Sequence, residues 1–101
     1  MRLIWSPLAL DRALEAKAYI AANNPDAAEK WASGLVSLVA KLKRHPKIGR
    51  VVPEIGLQEY REIIYGNYRV VYRLSANVIS ILTVRHYRRL LDPAELERRP
   101  G

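Results

Sequence analysis

The sequence contains no cysteine and only two histidines among its 101 residues. The absence of cysteine excludes a disulfide scaffold and any zinc or iron–sulfur site with cysteine ligands. Two histidines are also too few for a histidine-rich metal site. We therefore expect no metal. The sequence also has no P-loop and no Gly-rich dinucleotide turn, so it implies no organic cofactor.

Long apolar runs are missing as well. The longest such runs extend over a few residues, whereas a membrane-spanning helix needs about 20. The stretch from Met1 to Pro7 has no apolar core of the kind that a secretory signal requires. These absences predict a cytoplasmic protein with no membrane partner, and the length predicts a single domain over residues 1–101.

Acidic residues are scarce in one part of the chain only. Residues 1–40 and 92–101 are almost balanced, with net charges of 0 and −1, whereas residues 41–91 hold eleven basic and three acidic residues. This segment therefore carries +8, and the whole chain carries +7. Such an excess predicts an acidic or polyanionic partner, although a solvated basic surface would have the same composition.

The hydrophobic pattern predicts an α+β domain with the order βααβββ. A short strand over Arg2–Trp5 precedes two helices, one over about Pro7–Asn23 and one from Pro25 to about Arg44. The predicted apolar stripe of the first helix consists of Leu10, Leu14, Ala18 and Ala21. That of the second helix consists of Ala28, Trp31, Leu35, Leu38 and Leu42. The two helices form a hairpin that packs on one face of an antiparallel sheet.

Three strands follow a loop over residues 46–59, namely Tyr60–Tyr65, Tyr68–Leu74 and Val78 to about Arg85. The Gly66-Asn67 turn predicts that Ile64 pairs with Arg69 and Glu62 with Val71. An unbulged three-residue loop over residues 75–77 would pair Val71 with Ile81. A bulge would exchange the two faces of the last strand. Asp92-Pro93-Ala94-Glu95 has the spacing of a capping box and predicts a short C-terminal helix.

The clearest reactive cluster is Arg85-His86-Tyr87-Arg88-Arg89 at the end of the last strand. Histidine can transfer protons near neutral pH, and arginine can stabilise the charge that develops on a phosphate. Together with Arg69 and Glu54, this cluster would suit a ribonuclease that needs no metal. A histidine beside a tyrosine at a strand end is, however, more often structural.

Several motifs occur in an order and spacing that resemble the RelE/ParE superfamily, the toxins of bacterial type II toxin–antitoxin systems. They are Trp5-Ser6-Pro7, Asn24-Pro25, Pro46-Lys47-Ile48-Gly49-Arg50, Pro53-Glu54, Tyr60-Arg61-Glu62, Tyr68-Arg69-Val70-Val71-Tyr72-Arg73 and Val84-Arg85-His86. The resemblance extends over nearly the whole chain and implies the fold predicted above. It also implies a cognate antitoxin whose acidic, amphipathic segment folds on binding.

The resemblance leaves the target open between two branches. The helix hairpin and the Pro-Lys-Ile-Gly-Arg loop are similar to the ParE branch, whose members inhibit DNA gyrase without catalysis. The YoeB-like branch cleaves mRNA on the ribosome, and its Glu, Arg, His and Tyr correspond to Glu54, Arg69, His86 and Tyr87.

In the ribonuclease reading, Arg69 would hold the phosphate, Glu54 and His86 would transfer protons, and Tyr87 would orient the reacting groups. The basic residues expected to bind the substrate are Arg61, Arg73, Arg85, Arg88 and Arg89. The His86-Tyr87 pair favours this reading slightly over gyrase inhibition. A third possibility is an inactive chain or a simple nucleic-acid-binding module.

Overall fold

The computed structural model describes residues 1–88 and residue 91. In chain order the elements are β1 (Arg2–Trp5), α1 (Pro7–Ala21), α2 (Pro25–Lys41), β2 (Arg50–Val51), β3 (Tyr60–Tyr65), β4 (Tyr68–Ser75) and β5 (Val78–His86). The α+β class and the helix hairpin on a sheet are confirmed. The predicted C-terminal helix lies outside the described residues.

Both helices begin at the caps that the sequence predicts. The Ser6 hydroxyl accepts a hydrogen bond from the backbone N–H of Ala9, and the Asn24 side chain accepts one from Ala27, each at 3.0 Å. A proline follows each cap, where its missing N–H leaves no bond unmade. Local side-chain chemistry therefore sets where the two helices start.

The five strands form one sheet in the order β1-β5-β4-β3-β2. Two features refine the prediction of an antiparallel sheet. First, β1 runs parallel to β5, so the sheet is mixed. The local pattern of a four-residue strand predicts that it joins a sheet but carries no information about its direction. Second, two residues of the predicted loop, Arg50 and Val51, pair with β3 as an additional edge strand.

The predicted register of the first hairpin is confirmed, whereas the predicted register of the second hairpin is wrong. Ile64 pairs with Arg69 and Glu62 with Val71. In the second hairpin Ser75 pairs with Val78 across a two-residue turn, in which Asn77 adopts a φ of 61°. The pairing shifts between Val71 and Tyr72 because of a bulge or similar irregularity. The faces of β5 are exchanged only up to Leu82, which joins the cluster on the opposite side, while Ile79 and Ile81 lie in the core beneath the helices. Val84, beyond the shift, also lies in that core.

The apolar stripe predicted for α1 is also wrong. Leu10 and Leu14 are 48% and 64% exposed, whereas Ala9 and Ala16 are buried. Helix α1 contacts the sheet mainly along β5, and small alanine side chains allow a helix to approach closely. Shape complementarity to the sheet therefore decides which face is buried, and hydrophobicity alone does not.

The sheet separates two apolar clusters of unequal size. The larger lies between the sheet and the helices and contains Leu35, Val39, Leu42, Tyr72 and Ile81 among others. The smaller lies on the opposite face and consists of Val52, Val71, Leu82 and Leu91, with Ile55 and Tyr60 beside them. We call this opposite side the open face of the sheet, because no helix in the described part of the chain covers it.

Within the described residues, no helix is both long and apolar enough to cross a bilayer.

Candidate functional site

A cluster of charged side chains lies on the open face of the sheet. Arg69 on β4 donates from Nη1 to Glu54 and to Glu62, both at 3.0 Å, and from Nη2 to Glu54 at 2.6 Å. Glu62 on β3 also accepts two bonds from Arg50, at 2.6 and 2.7 Å. The alternating chain Arg50–Glu62–Arg69–Glu54 therefore joins β2, β3, β4 and the loop before β3. We call these four residues the ion cluster.

The centre of the ion cluster is shielded from water. The side chains of Arg69 and Glu62 are 6% and 0% exposed. A charged group that is removed from water must be compensated by partners, and each of these two has partners of opposite charge. The guanidinium of Arg69 is thus engaged by carboxylates of the same chain, and its pKa is raised mainly by the hydrogen bonds to Glu54.

Glu54 is held as a carboxylate. Its hydrogen bonds from Arg69 lower its pKa from the ordinary 4.5 to about 2, against the opposing effect of partial burial. The backbone N–H of Leu91 also donates to Glu54, at 3.3 Å, and contributes to the lowering. A carboxylate with so low a pKa is a weak proton acceptor near neutral pH, because the proton would bind far less favourably than at an ordinary glutamate.

His86 and Tyr87 lie at a different place. The imidazole of His86 packs edge-on against Tyr68, with ring centroids 5.7 Å apart, on the side of the sheet that faces the helices. Tyr87 follows directly after β5, stacks on His86 at 5.1 Å and is 42% exposed. The hydroxyl of Tyr87 accepts a bond from Nε of Arg88 at 3.0 Å.

His86 lines a groove of about 770 Å³ between α1 and the end of the sheet. Arg12, Glu15, Tyr19 and Trp31 are also among its lining residues. This groove contains aromatic rings and charged groups, but neither Glu54 nor Arg69 is among the residues that line it. We call it the His86 groove.

The structure therefore brings the four predicted catalytic residues together as two separate pairs. Glu54 and Arg69 are in direct contact on the open face. His86 and Tyr87 contact each other at the end of β5, and the His86 ring is on the helix side. Because side chains alternate along a strand, the neighbours Tyr68 and Arg69 point to opposite faces. The His86 ring packs on the face of Tyr68, and Glu54 binds on the face of Arg69.

The arginines predicted to bind substrate have diverse environments. Arg61 donates to the backbone oxygen of Gly49 at 3.0 Å and to Gln58, so it fastens two loops. Arg73 donates to Glu59 at 3.1 Å and lies over the ring of Tyr60. Arg85 is paired with Arg69 across the two strands. Arg88 is exposed beside Tyr87, and Arg89 lies outside the described residues.

Two members of the ion cluster, Glu62 and Arg50, were not among the predicted site residues. Glu62 could have been found, because the confirmed register of the first hairpin puts it two positions from the partner of Arg69, on the same face. Arg50 gave no such signal, since its strand was expected to be a loop.

A family model for the ParE toxin of type II toxin–antitoxin systems, parDE, matches residues 3–91. The chain belongs to the ParE toxin family. A Sinorhizobium fredii protein, Y4kP, named as a candidate toxin, is 34% identical to it over 87 residues, which cover 84% of this chain and 86% of that protein. The chain is thus a type II toxin of the ParE/RelE superfamily.

Solved structures share the fold of this toxin. The chromosomal ParDE system of P. aeruginosa matches with a TM-score of 0.70 at 20% identity, covering 85% of the toxin and 95% of that chain. The Staphylococcus aureus YoeB dimer and YoeB–YefM complex match with TM-scores of 0.56 and 0.52, both at 19% identity, each covering 86% of the toxin and 97% of that chain.

Proposed function

We propose that this toxin arrests growth by binding its target and not by cutting RNA, and that the target is DNA gyrase, as for the ParE branch. The observation that carries the proposal is that Arg69 is already engaged in ion pairs within the chain. Its guanidinium is buried and bound to two carboxylates of the same chain. To hold a substrate phosphate, Arg69 would have to exchange these partners for it and leave Glu62, whose side chain is fully buried, short of one cation.

The position of the proton-transfer groups supports the same proposal. Glu54 has a pKa lowered to about 2, and His86 packs on the other face of the sheet from Arg69. A base, an acid and a phosphate-binding cation must converge on one phosphodiester for in-line attack. The two pairs do not converge in this way.

One observation favours ribonuclease activity as a second candidate. His86, Tyr87 and Arg88 form a continuous cluster at the end of β5, in which Tyr87 and Arg88 are exposed. A ribonuclease built on this cluster would use Arg88 as its phosphate ligand. In that case Arg69 would have a structural role only.

The experiment that tests the proposal is regulated expression followed by two assays in parallel. We expect inhibited supercoiling by gyrase and accumulated DNA breaks, with no new 5′ ends in the transcripts. Cuts in mRNA that depend on the ribosome, together with normal supercoiling, would overturn the proposal and favour the second candidate. If supercoiling stays normal, the transcripts stay uncut and the cells grow normally, the chain is inactive.

We also propose that an acidic antitoxin partner neutralises this toxin. The support is its family, which is defined by such pairs, and the net charge of +7. Co-expression with the product of the adjacent reading frame should restore growth. Continued arrest with that product present and soluble would count against it.

A further inference from the structure

The segment that joins α2 to β2 combines many cations with no acid. Residues 41–50 contain five lysines and arginines and neither aspartate nor glutamate. Arg50 belongs to the ion cluster. In contrast, Lys43, Arg44 and Lys47 are exposed and form no ion pair with another described residue. Their charge is therefore available to a partner.

The same segment is held rigidly by the sheet. The buried hydroxyl of Tyr72 donates to the backbone oxygen of Pro46 at 2.8 Å and accepts from the N–H of Gly49 at 3.0 Å. Arg61 donates to the oxygen of Gly49 at 3.0 Å. A side chain at Gly49 would come within 2.7 Å of the Tyr72 hydroxyl, so only glycine fits. A rigid loop loses little conformational entropy when a partner binds.

An exposed apolar side chain, Ile48, follows directly after Lys47 in this segment. Ile48 is 62% exposed, and it lines a shallow hollow of about 500 Å³ with His45, Pro46 and Lys47. Exposed apolar area next to charged side chains is typical of a protein–protein contact, in which a polar rim borders an apolar centre. A nucleic-acid backbone would neutralise the lysines but would leave Ile48 in water, so a protein segment fits this surface better.

We infer that residues 43–48 dock an acidic segment of the antitoxin, with one aliphatic side chain against Ile48 and carboxylates against Lys43, Arg44 and Lys47. The inference rests on the proposed antitoxin partnership and not on the identity of the target. The antitoxin is the occupant chosen because this family is defined by toxins that act in a pair with one. The surface also shares no side chain with the His86 groove.

The test uses two variants of the full chain and two matched controls. The variants are Lys43→Glu with Lys47→Glu, and Ile48→Asp. The controls are Arg2→Glu with Lys30→Glu, two exposed cations elsewhere, and Leu57→Asp, an exposed loop residue comparable to Ile48. Circular dichroism checks that each is folded, and if one variant fails this check the other carries the test.

Each protein is expressed alone and with the antitoxin encoded by the adjacent reading frame, and the dissociation constant of that antitoxin is measured by calorimetry. Both variants should arrest growth like the unmodified toxin but resist rescue. Their dissociation constants should rise by about tenfold or more, with the charge variant less sensitive to salt. The controls should be rescued normally.

Three results would overturn the inference. They are unchanged antitoxin affinity in both variants, an equal loss of affinity in the controls, and loss of growth arrest while antitoxin affinity is retained. The last would mean that the segment contacts the target. Binding of a 20-bp DNA duplex that Lys43→Glu with Lys47→Glu abolishes, with antitoxin affinity unchanged, would identify a nucleic-acid surface instead. Failure of the gyrase proposal would appear only in the supercoiling assay and would leave the rescue experiment intact.

Discussion

The two faces of the sheet bury their side chains by different physical means. The face beneath the helices is filled by aliphatic and aromatic residues, such as Val70, Tyr72 and Ile81. The open face buries a small apolar cluster beside the Arg69 and Glu62 side chains, which are nearly inaccessible to water. Apolar packing tolerates small changes in composition, whereas a buried charge requires its partner.

This contrast also separates the arginines of the chain. Arg69 lies among carboxylates on the open face, while Arg88 is exposed at the end of β5. The sequence predicted Arg69 as the catalytic ligand of the phosphate and Arg88 as a substrate-binding residue. The difference shows that the number of cations does not measure the capacity to bind an anion. The capacity to bind an anion depends on how many cations are not already paired with carboxylates of the same chain.

The largest expected effect comes from removing the cation at the centre of the open face. Arg69→Met should lower the free energy of unfolding by about 3–5 kcal/mol, because Glu62 is left buried without its full compensation. Urea denaturation measures the loss. The control is Arg88→Met, an exposed arginine whose replacement should change stability by no more than about 0.5 kcal/mol. Equal stability of the two variants would mean that the ion cluster does not hold the sheet together.

A smaller effect is expected on the helix-covered face. Tyr72→Phe keeps the apolar ring but removes the hydroxyl that bonds to Pro46 and Gly49. The loss should be about 1–3 kcal/mol, since the buried N–H of Gly49 and the partly buried oxygen of Pro46 lose a partner. Hydrogen exchange at the Gly49 amide should accelerate. Tyr19→Phe is the control, because Tyr19 is 75% exposed. Unchanged exchange at Gly49 would show that Tyr72 does not fasten this loop.

A still smaller effect is expected in the pH dependence of stability, which Glu54 on the open face should influence. The pKa of Glu54 is lowered from 4.5 to about 2 in the folded chain, so its charged form stabilises the fold. This contribution is present above pH 4.5 and is lost progressively as the pH falls towards 2. The urea midpoint should therefore decrease as the pH is lowered from 4.5 towards 2. In Glu54→Gln the midpoint should depend less steeply on pH. Parallel curves for the two proteins would contradict the assignment.

The smallest effect is expected at the exposed end of β5. Tyr87→Phe and His86→Gln should leave growth arrest and gyrase inhibition unchanged, because the proposed function needs no proton transfer. Growth rates at graded expression levels and supercoiling assays provide the measurement. If a folded Tyr87→Phe variant loses its toxicity, the exposed cluster takes part in function, and the ribonuclease reading gains the support that Arg69 does not provide.

Much of the fold could be predicted because its signals are local. Ser6-Pro7 and Asn24-Pro25 start the helices, and Gly66-Asn67 sets the register of the first hairpin. The prediction failed where the decision was not local. The shift of register between β4 and β5 and the buried alanine face of α1 both depend on how neighbouring elements fit together.

The candidate site divides in the same way. Glu54 and Arg69 were predicted to act together, and they are in contact. The predicted register put Glu62 on the same face as Arg69, but only the structure shows that Glu62 binds the same guanidinium as Glu54. His86 and Tyr87 are neighbours in sequence, so their contact needed no tertiary information. Their separation from Arg69 follows from the alternation of side chains along a paired strand.

By itself the sequence determined the class of this protein: an α+β toxin of the ParE/RelE superfamily with an excess of positive charge after residue 40. The fold class and the charge follow from caps, turns, hydrophobic periodicity and composition, which act over a few residues, whereas the superfamily follows from the resemblance of motifs such as Pro53-Glu54 in their order along the chain. Only the tertiary structure decided which cations are engaged internally and which are exposed. Ion pairing and burial depend on residues from different elements, such as Arg69 with Glu54 and Glu62, and these meet only when the strands pair.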